Sequence, residues 1–323
     1  MEFEKNPLES AMMKIHSENI DEWTTNFALN LNQIWNENSA RDLDPSPTES
    51  FIKNGKSTIV IGKGPSIKKH NHLKILEESN FTGNILCCDG KLSDVLEAGI
   101  TPDKFPNFYV ATIDPYENIV KCYNHQIVNE FGSKIKGIFT TITNPKAAQR
   151  ARDAGIQMHW IHSLFDYHEG EKSFNQITAK ITRAKNHTQG LPAIQTGGNV
   201  GTSSWFLGWR ILKSPTVVLV GINHGWEEDD PWETISSHGR NEITGNSDNP
   251  EISKKFFQRI FNPELKTFCI VDPIFQFYRN ALIEFIQRSP SWLNTINATE
   301  GGSIFGDRII SMKLTEFLEN HHN

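Results

Sequence analysis

A short apolar run that ends in a glycine-rich turn constrains this chain more than any other feature. Residues 58–61 read Thr-Ile-Val-Ile, and they are followed directly by Gly62, Lys63, Gly64, Pro65 and Ser66. Such a run predicts a buried parallel strand, and the turn after it is typical of phosphate-binding loops. Gly62 and Gly64 permit positive φ and a close approach to a ligand. Pro65 stiffens the turn, and Ser66 is a candidate cap for a helix whose free N–H groups favour an anion.

This segment matches neither of two familiar phosphate-binding fingerprints. It lacks the Gly-Lys-Ser/Thr ending of a Walker A loop and the third glycine of the dinucleotide motif. Two interpretations therefore stay open. The segment is a phosphate-binding loop in which Lys63 contacts the phosphate, or it is an ordinary strand-to-helix turn with Lys63 exposed.

Strands alternate with helices from residue 57 onward. Strands are predicted at residues 58–61, 84–88, 108–113, 137–141, 157–162 and 216–220. Helices are predicted at residues 70–79, 92–98, 117–131, 144–154 and 200–212. The alternation predicts an α/β fold, namely a Rossmann-like, mostly parallel sheet with helices on both faces. Ligands of such sheets bind outside the carboxyl ends of the strands.

Two extensions flank this core in the predicted organisation. Residues 1–50 form an N-terminal helical extension, helical over residues 8–38, that either covers the core or makes a homo-oligomer contact. Residues 51–250 form the nucleotide-binding core, in which the polar segment 165–191 is a candidate lid or insertion. Residues 251–323 form a C-terminal segment that packs on the core and ends in a helix at residues 314–319.

Composition excludes several classes of partner. The formal net charge of -6 argues against a basic nucleic-acid-binding surface. No apolar run has membrane-spanning length, and the N-terminus lacks a signal-peptide core. The four cysteines have no metal-ligand spacing and are interpreted as reduced, mostly buried thiols. We therefore expect a cytoplasmic protein that neither spans a membrane nor binds nucleic acid.

Polar residues follow three further predicted strands. Asp89-Gly90 ends the second strand, Asp114 ends the third, and Gly221 to His224, which includes Asn223, follows the strand at residues 216–220. In a parallel sheet these tips share one edge with the glycine turn. Asp89 and Asp114 can accept hydrogen bonds from a ribose or a base, or hold Mg²⁺ against phosphates, and the alternative for each is a turn or helix-cap residue.

A second glycine-rich turn precedes the helix predicted at residues 200–212. Gly197, Gly198 and Asn199 free the backbone at its start and make a second candidate anion site. His224 and His238 lie in the polar segment after the strand at residues 216–220, and either is a candidate general base. The acidic run 227–230 is interpreted as solvated, and residues 297–302 as a structural turn near the same sheet edge.

The motifs resemble those of the MptE-like family, which includes archaeal 6-hydroxymethylpterin diphosphokinases and the motility accessory factor (Maf) proteins that glycosylate flagellin. The matching stretches are Gly62–Ile67, Cys88–Gly90, Gly99–Asp103, Ala111–Pro115, Gly197–Val200 and Val218–Asn223. The chain is also similar to bacterial sialyltransferases that use CMP-sugars. In those enzymes the loop binds the nucleotide phosphate, polar residues matching Asp89 and Asp114 hold the nucleotide, and a loop histidine acts as base.

The resemblance implies a nucleotide-dependent transferase, and three functions remain open. The first is transfer of a nucleotide-activated, CMP-type sugar to a glycan or protein acceptor. The second is ATP-dependent pyrophosphoryl transfer to a pterin, with Mg²⁺ on Asp114 and Asp89. The third is a non-catalytic nucleotide-binding or scaffold protein. Family members usually carry aspartate where this chain has Asn223, which argues against a metal at that position.

Overall fold

The structure, a computed structural model, describes residues 7–44, 51–165, 173–183, 189–233, 235 and 257–320. Its described residues form a ten-stranded sheet and a three-stranded sheet. The strands of the large sheet are β1 Asn38–Ser39, β2 Thr58–Ile61, β3 Asn84–Cys88, β4 Phe108–Thr112, β5 Lys136–Thr140, β6 Gln157–Ser163, β7 Ala193–Ile194, β8 Thr216–Val220, β12 Asn294–Asn297 and β13 Ile309–Ser311. Those of the small sheet are β9 Trp226–Glu227, β10 Gln258–Asn262 and β11 Thr267–Val271.

Helices connect most of these strands. They are α1 Pro7–Asn36, α2 Phe51–Asn54, α3 Ser66–Lys69, α4 His72–Glu77, α5 Leu92–Glu97, α6 Gln126–Phe131, α7 Pro145–Asp153, α8 Phe174–Ile181, α9 Val200–Phe206, α10 Pro273–Gln287 and α11 Leu314–Asn320. Short 3₁₀ turns lie at Ala40–Leu43, Asp89–Lys91, Glu117–Tyr123 and Gly132–Lys134, and a π-helical turn, Leu207–Ile211, continues α9.

The large sheet has the topology that the alternating pattern predicts. Its order is β1-β6-β5-β4-β3-β2-β8-β12-β13, with β7 beside β6. Every pair in this sheet is parallel. The chain moves outward from β2 to β6 and then returns to place β8 on the other side of β2. The strand order therefore reverses between β2 and β8, where ligands bind in sheets of this kind.

Both faces of the central strands are buried, which explains their continuous apolar sequences. Every residue of β2, β3, β4 and β8 is buried. Successive side chains point to opposite faces: Ile59 and Ile61 join one hydrophobic cluster, whereas Val60 joins the other. Helices covering both faces are what make such runs favourable in a parallel sheet. The predicted α/β fold with helices on both faces is thus confirmed.

The N-terminal helix α1 covers the core, the first of its two predicted roles. Phe27 and Ile34 are buried in one of the two hydrophobic clusters. The Asn26 side-chain amide donates to the carbonyls of Pro115 (2.9 Å) and Ile142 (3.2 Å). Asn30 donates in the same way to Thr143 (2.7 Å). This helix therefore supports the segments that leave β4 and β5, including the backbone next to Asp114.

Several predicted elements differ from the structure. The helix predicted at residues 117–131 is divided into a 3₁₀ turn and α6, because Tyr123 turns inward and its hydroxyl pairs with that of Thr112 in the core. Residues 174–181 of the irregular segment 165–191 form helix α8, which Ser173 caps. The rest of that candidate lid lies largely outside the described residues.

The C-terminal part of the chain contributes more than a helical segment. It supplies β12 and β13 to the large sheet, two strands of the small sheet, and the fifteen-residue helix α10. Strands from all three predicted segments, 1–50, 51–250 and 251–323, thus share one sheet.

The described residues also bear on the expectations about membrane-spanning segments and cysteines. No helix among them is long and apolar enough to cross a membrane. All four cysteines are free thiols.

Candidate functional site

The sheet brings the predicted strand-end residues to one edge. β4, β3, β2, β8 and β12 are consecutive neighbours, about 4.8 Å apart. Asp114, Asp89, the loop 62–66, the segment 221–224 and the turn 300–302 follow their carboxyl ends in that order. The glycine loop thus lies at the centre of the edge, with the two acids on one side.

The two loop glycines allow close packing rather than an unusual backbone conformation. Neither Gly62 nor Gly64 has a positive φ, so the conformational freedom of glycine is not the reason for glycine at these positions. The Gly62 N–H donates to the Val220 carbonyl and the Gly64 N–H to the Gly221 carbonyl, both at 2.8 Å. A Cβ on Gly62 would lie 2.5 Å from the Gly221 oxygen, and one on Gly64 would lie 1.9 Å from Asn223 Oδ1. The loop therefore continues the β2–β8 pairing beyond the strands.

The sequence suggested that Ser66 caps helix α3, but in the structure it does not. Pro65 is the N-cap residue, and Ser66 is the first residue of a helix only four residues long. The buried Ser66 hydroxyl instead donates to Asn223 Oδ1 at 2.9 Å. Within the described residues, the backbone N–H groups of Lys63 and Ser66 have no backbone acceptor. These two amides, rather than those of Gly62 and Gly64, are free for a phosphate.

Asp89 and Asp114 form an electrostatically coupled acid pair. Burial, and next the negative charge of Asp114, raise the pKa of Asp89 to about 7. The Gly90 amide, which donates to Asp89 Oδ1 at 2.6 Å, the Thr112 hydroxyl and the Lys63 ammonium partly offset this rise in pKa. The other oxygen, Oδ2, is buried without a hydrogen-bond partner. An unpaired buried oxygen beside a second carboxylate is unfavourable unless a cation or a hydrogen-bond donor joins it.

This pair fits the minimum requirement for Mg²⁺. Among the described residues, no group of three or more histidine, cysteine, aspartate or glutamate side chains is placed to hold a metal ion. Mg²⁺ is commonly held by one or two carboxylates together with substrate phosphates. The unpaired Asp89 oxygen beside Asp114 is consistent with such a site once phosphates are present.

The second glycine turn packs on the C-terminal helix α10. Gly197 and Gly198 have positive φ angles of 58° and 84°. A Cβ on Gly198 would lie 2.5 Å from the Tyr278 ring. The Asn199 side chain caps α9, since its Oδ1 accepts from the Thr202 N–H (2.9 Å) and its Nδ2 donates to the Thr202 hydroxyl (2.9 Å). The backbone of the turn is also largely paired, since the Gly198 N–H donates to the Thr196 hydroxyl (3.2 Å) and the Asn199 N–H to the Thr196 carbonyl (3.4 Å).

His224, a candidate general base from the sequence, lies inside the protein rather than on an open polar loop. It is buried, and its φ is 42°. Its ring stacks on Phe275 at 6.1 Å and lies 5.9 Å from the Tyr278 ring. Burial lowers the pKa of His224 to about 3, and its Nδ1 has no hydrogen-bond partner. The ring is therefore neutral at physiological pH and only weakly basic. His238, the other candidate base, lies outside the described residues.

A turn from the far end of the chain completes the site. Residues 300–303 wrap around the segment after β8: the Ser303 N–H donates to the Asn223 carbonyl (2.8 Å), and its hydroxyl donates to the His224 carbonyl (2.6 Å). A Cβ on Gly301 would lie 2.8 Å from Glu227 Oε1 and 3.1 Å from Asn223 Nδ2. The sequence predicts only a structural turn at these residues. Its Glu-Gly-Gly composition was the one signal for such a close approach.

A pocket of about 380 Å³ opens beside the glycine loop. Its lining residues are Pro65, Ser66, Lys68, Lys69, Glu227 and Asp230. Lys69 forms an ion pair with Glu227 across it and lies 3.6 Å from Asp229. The acidic run is thus partly paired, since Arg259 also binds Glu228.

Comparison with known proteins gives three similarities. The family model described as 6-hydroxymethylpterin diphosphokinase MptE-like matches residues 25–229. A 6-hydroxymethyl-7,8-dihydropterin pyrophosphokinase of Methanocaldococcus jannaschii is 45% identical over 53 residues, which is 16% of this chain and 22% of that protein. The structure of a Maf glycosyltransferase from Magnetospirillum magneticum AMB-1 is similar with a TM-score of 0.61 and 17% identity, over 90% of this chain and 38% of that one.

These similarities differ in what they establish. The family match covers more than half of the chain. The likeness to the solved structure, at 17% identity, concerns the fold. The chain spans well under two thirds of the length of either relative.

Proposed function

Because the chain belongs to the 6-hydroxymethylpterin diphosphokinase MptE-like family, we propose that it is a nucleotide-dependent transferase whose site is the carboxyl edge described above. The observation that carries this proposal is the coincidence of the strand-order reversal with three buried, unpaired polar atoms. These are Asp89 Oδ2, Asn223 Nδ2 and His224 Nδ1. Buried polar atoms are normally paired, and these three, of nine such side-chain atoms among the described residues, follow the carboxyl ends of β3 and β8, where a ligand would supply the partners.

The order of strands suggests how a nucleotide lies in this site. The free amides of Lys63 and Ser66 suit a phosphate at the centre of the edge. Asp89 and Asp114, one and two strands away, suit the ribose hydroxyls, which donate hydrogen bonds to carboxylates. Gly90 leaves room near Asp89, since a Cβ there would meet only the Lys63 side chain, at 3.4 Å.

The reaction proposed is transfer of a sugar from a nucleotide-activated, CMP-type donor to an acceptor hydroxyl of a glycan or protein. The bond between the anomeric carbon and the nucleotide phosphate breaks, and the acceptor oxygen forms the new bond to that carbon. The acceptor proton passes to His238 or His224, with the departing phosphate stabilised by the loop amides. In the alternative role of the acid pair, Asp114 and Asp89 would hold Mg²⁺ rather than the ribose, and the cation would neutralise part of the phosphate charge.

The two histidines are expected to differ in importance. A base with a pKa near 3 accepts a proton poorly at neutral pH, so His224→Ala should lower kcat less than His238→Ala. Loss of the true base should lower kcat by about 10²- to 10⁴-fold. Release of CMP from a CMP-sugar in the presence of acceptor measures this effect. Unchanged turnover in the double variant would show that neither histidine is the base.

The coupled acid pair favours a second candidate, pyrophosphoryl transfer from ATP to a pterin alcohol. Catalysis of that reaction depends mainly on positioning the substrates and on neutralising phosphate charge with a cation. A pair of neighbouring carboxylates such as Asp89 and Asp114 is suited to holding Mg²⁺ against the phosphates. The similarity over 53 residues to a pterin pyrophosphokinase supports the same candidate. Trp226, an aromatic that could have stacked on a pterin, is buried against Phe275, which leaves Tyr116 as the half-buried aromatic next to Asp114.

Thermal stability with a panel of ligands separates these functions. The panel is CMP, CDP, UDP, ATP and 6-hydroxymethylpterin, each with and without Mg²⁺. A ligand that binds the native state stabilises it and thereby raises its Tm. At a ligand concentration of 100 times the Kd, the free energy of unfolding increases by about 2.7 kcal/mol. We expect the largest shift with a cytidine nucleotide. A Mg²⁺-dependent preference for ATP that Asp114→Asn removes would support the pterin function instead, and no shift with any nucleotide would refute both. Binding of nucleotide without any turnover would identify a non-catalytic protein.

A further inference from the structure

The backbone on the strand side of Asp114 is held by hydroxyl groups from the neighbouring strand tip. Strand β4 ends at Thr112, so the buried carbonyls at and beyond its end need partners outside the ladder. The Thr143 hydroxyl donates to the Thr112 carbonyl at 3.2 Å, and the Thr140 hydroxyl donates to the Ile113 carbonyl at 3.1 Å. The tip of β5 thus fixes the chain that leads into Asp114.

The carbonyl on the other side of Asp114 is bound by helix α1. Asn26 Nδ2 donates to the Pro115 carbonyl at 2.9 Å and to the Ile142 carbonyl at 3.2 Å. One amide group therefore joins the segment after β4 to the segment after β5. Asn30, one turn further along α1, donates to a second carbonyl of the segment after β5, at 2.7 Å.

The position of these two asparagines on α1 shows what they are for. Asn26 is 5% exposed and Asn30 is 2% exposed, on the helix that also buries Phe27 and Ile34 in the core. Asparagine is not favoured inside a helix, and burying its amide costs free energy unless the amide is hydrogen-bonded. The apolar residues already attach α1 to the core. The asparagines are therefore explained by the carbonyls that they bind.

From these contacts we infer that Asn26 is a positioning residue of the site, which fixes Asp114 relative to Asp89 so that both can bind the ribose of a nucleotide. It acts through the Pro115 carbonyl, one residue from the acid, and Thr143 assists from the tip of β5. The inference rests on the proposed function, which places the ribose hydroxyls over the two acids. Hydrogen bonds weaken steeply with poor geometry, so a displaced Asp114 loses its contact with the ribose. Helix α1 is then part of the site.

The test compares CMP with 2′,3′-dideoxy-CMP, which lacks both ribose hydroxyls, by titration calorimetry. The wild type should bind CMP about tenfold more tightly, because hydrogen bonds to carboxylates are charge-assisted. Asn26→Ala should weaken CMP binding about fivefold and change the affinity for the dideoxy nucleotide less than about twofold. Thr143→Val, which replaces one hydroxyl with a methyl group, is the milder variant and should also reduce the preference for CMP. A purely structural role for Asn26 would leave this preference unchanged in the folded protein.

Asn84→Ala is the matched control. Asn84 is also buried, but its amide donates to the Thr58 and Ser214 hydroxyls, at 3.1 and 3.3 Å, on the amino edge of the sheet. This variant should unfold at lower urea concentration than the wild type, as Asn26→Ala should, and yet keep the full preference for CMP.

The inference is overturned if Asn26→Ala and Thr143→Val both keep the wild-type preference, or if Asn84→Ala loses it as well. Should Asn26→Ala fail to fold, Thr143→Val alone decides. A wild type that binds both nucleotides equally would show that the acids do not hold the ribose, and would overturn that placement together with this inference. A wild type that binds no nucleotide would refute the proposed function itself.

Discussion

Gly64→Ala is expected to unfold or strongly destabilise the site and to remove nucleotide binding. The added Cβ would lie 1.9 Å from Asn223 Oδ1 and 2.6 Å from the Gly221 carbonyl oxygen. Neither atom can yield easily, because Asn223 holds the Ser66 hydroxyl and Gly221 accepts the Gly64 N–H. Overpacking of this kind costs about 3 kcal/mol. Urea denaturation should show the loss of stability, and the Tm shift with CMP should disappear.

Gly90→Ala provides the matched control, since it adds the same methyl group at the same sheet edge. Its Cβ would meet only the flexible Lys63 side chain, 3.4 Å away, and the φ of Gly90 is not positive. Its stability should stay within about 1 kcal/mol of the wild type, the range of compatible glycine substitutions. If Gly64→Ala unfolds at the same urea concentration as Gly90→Ala, the loop does not pack against β8 as described.

The strands around the site are readable from sequence because they are uniformly apolar. The predicted strands at residues 58–61, 84–88 and 216–220 agree with β2, β3 and β8 to the residue. Their burial on both faces requires apolar side chains at every position, so the signal is continuous. Once these strands are parallel, the convergence of Asp89, Asp114 and the glycine loop on one edge follows from topology alone.

The C-terminal strand of the site could not be read in this way. β12 has the sequence Asn-Thr-Ile-Asn, which carries one strongly apolar residue, yet three of its four residues are buried. Its polar side chains are satisfied by particular partners: the Thr295 hydroxyl accepts from Trp205 Nε1 at 2.9 Å, and Asn297 donates to the Ile304 carbonyl. Such pairing depends on the assembled fold, so β12 has no local signature as a strand, whereas the turn after it is marked only by its glycines.

The roles of individual site residues also depend on contacts with residues distant in the sequence. Glycine at position 64 suggested a phosphate approaching the backbone, whereas the close neighbour is Asn223, 159 positions later in the chain. The sequence made His224 a candidate base, whereas α10 supplies Phe275 and Tyr278, whose rings pack against it. Sequence thus identified the edge of the sheet, and tertiary packing determines what each residue there can do.

Asp89→Asn is expected to stabilise the protein at alkaline pH and to weaken its dependence on pH. The folded-state pKa of Asp89 is about 7, above the value of about 3.9 for an unfolded aspartate. The folded state therefore binds more protons than the unfolded state between about pH 4 and 7, and stability falls as pH rises through that window. The full difference of about three units corresponds to about 4 kcal/mol above pH 7. Asparagine has no charge to bury, so this cost disappears.

Urea denaturation of both proteins at pH 5 and pH 8 measures the effect. The advantage of Asp89→Asn over the wild type should grow by about 2–3 kcal/mol between these values. Asp94→Asn is the control, because Asp94 is half exposed and paired with Lys91, and its advantage should not change with pH. Parallel pH profiles for the wild type and Asp89→Asn would show that Asp89 ionises normally.

Millimolar Mg²⁺ connects this titration to the proposed metal site. If Asp89 and Asp114 hold the cation, Mg²⁺ should stabilise the wild type at pH 8, where the Asp89 carboxylate is charged, and have little effect at pH 5, where it is protonated. Asp89→Asn and Asp114→Asn should each lose this response, whereas Asp94→Asn should keep it. A Mg²⁺ response that persists in both site variants would place the cation elsewhere, and the raised pKa of Asp89 would then reflect burial and its acidic neighbour alone.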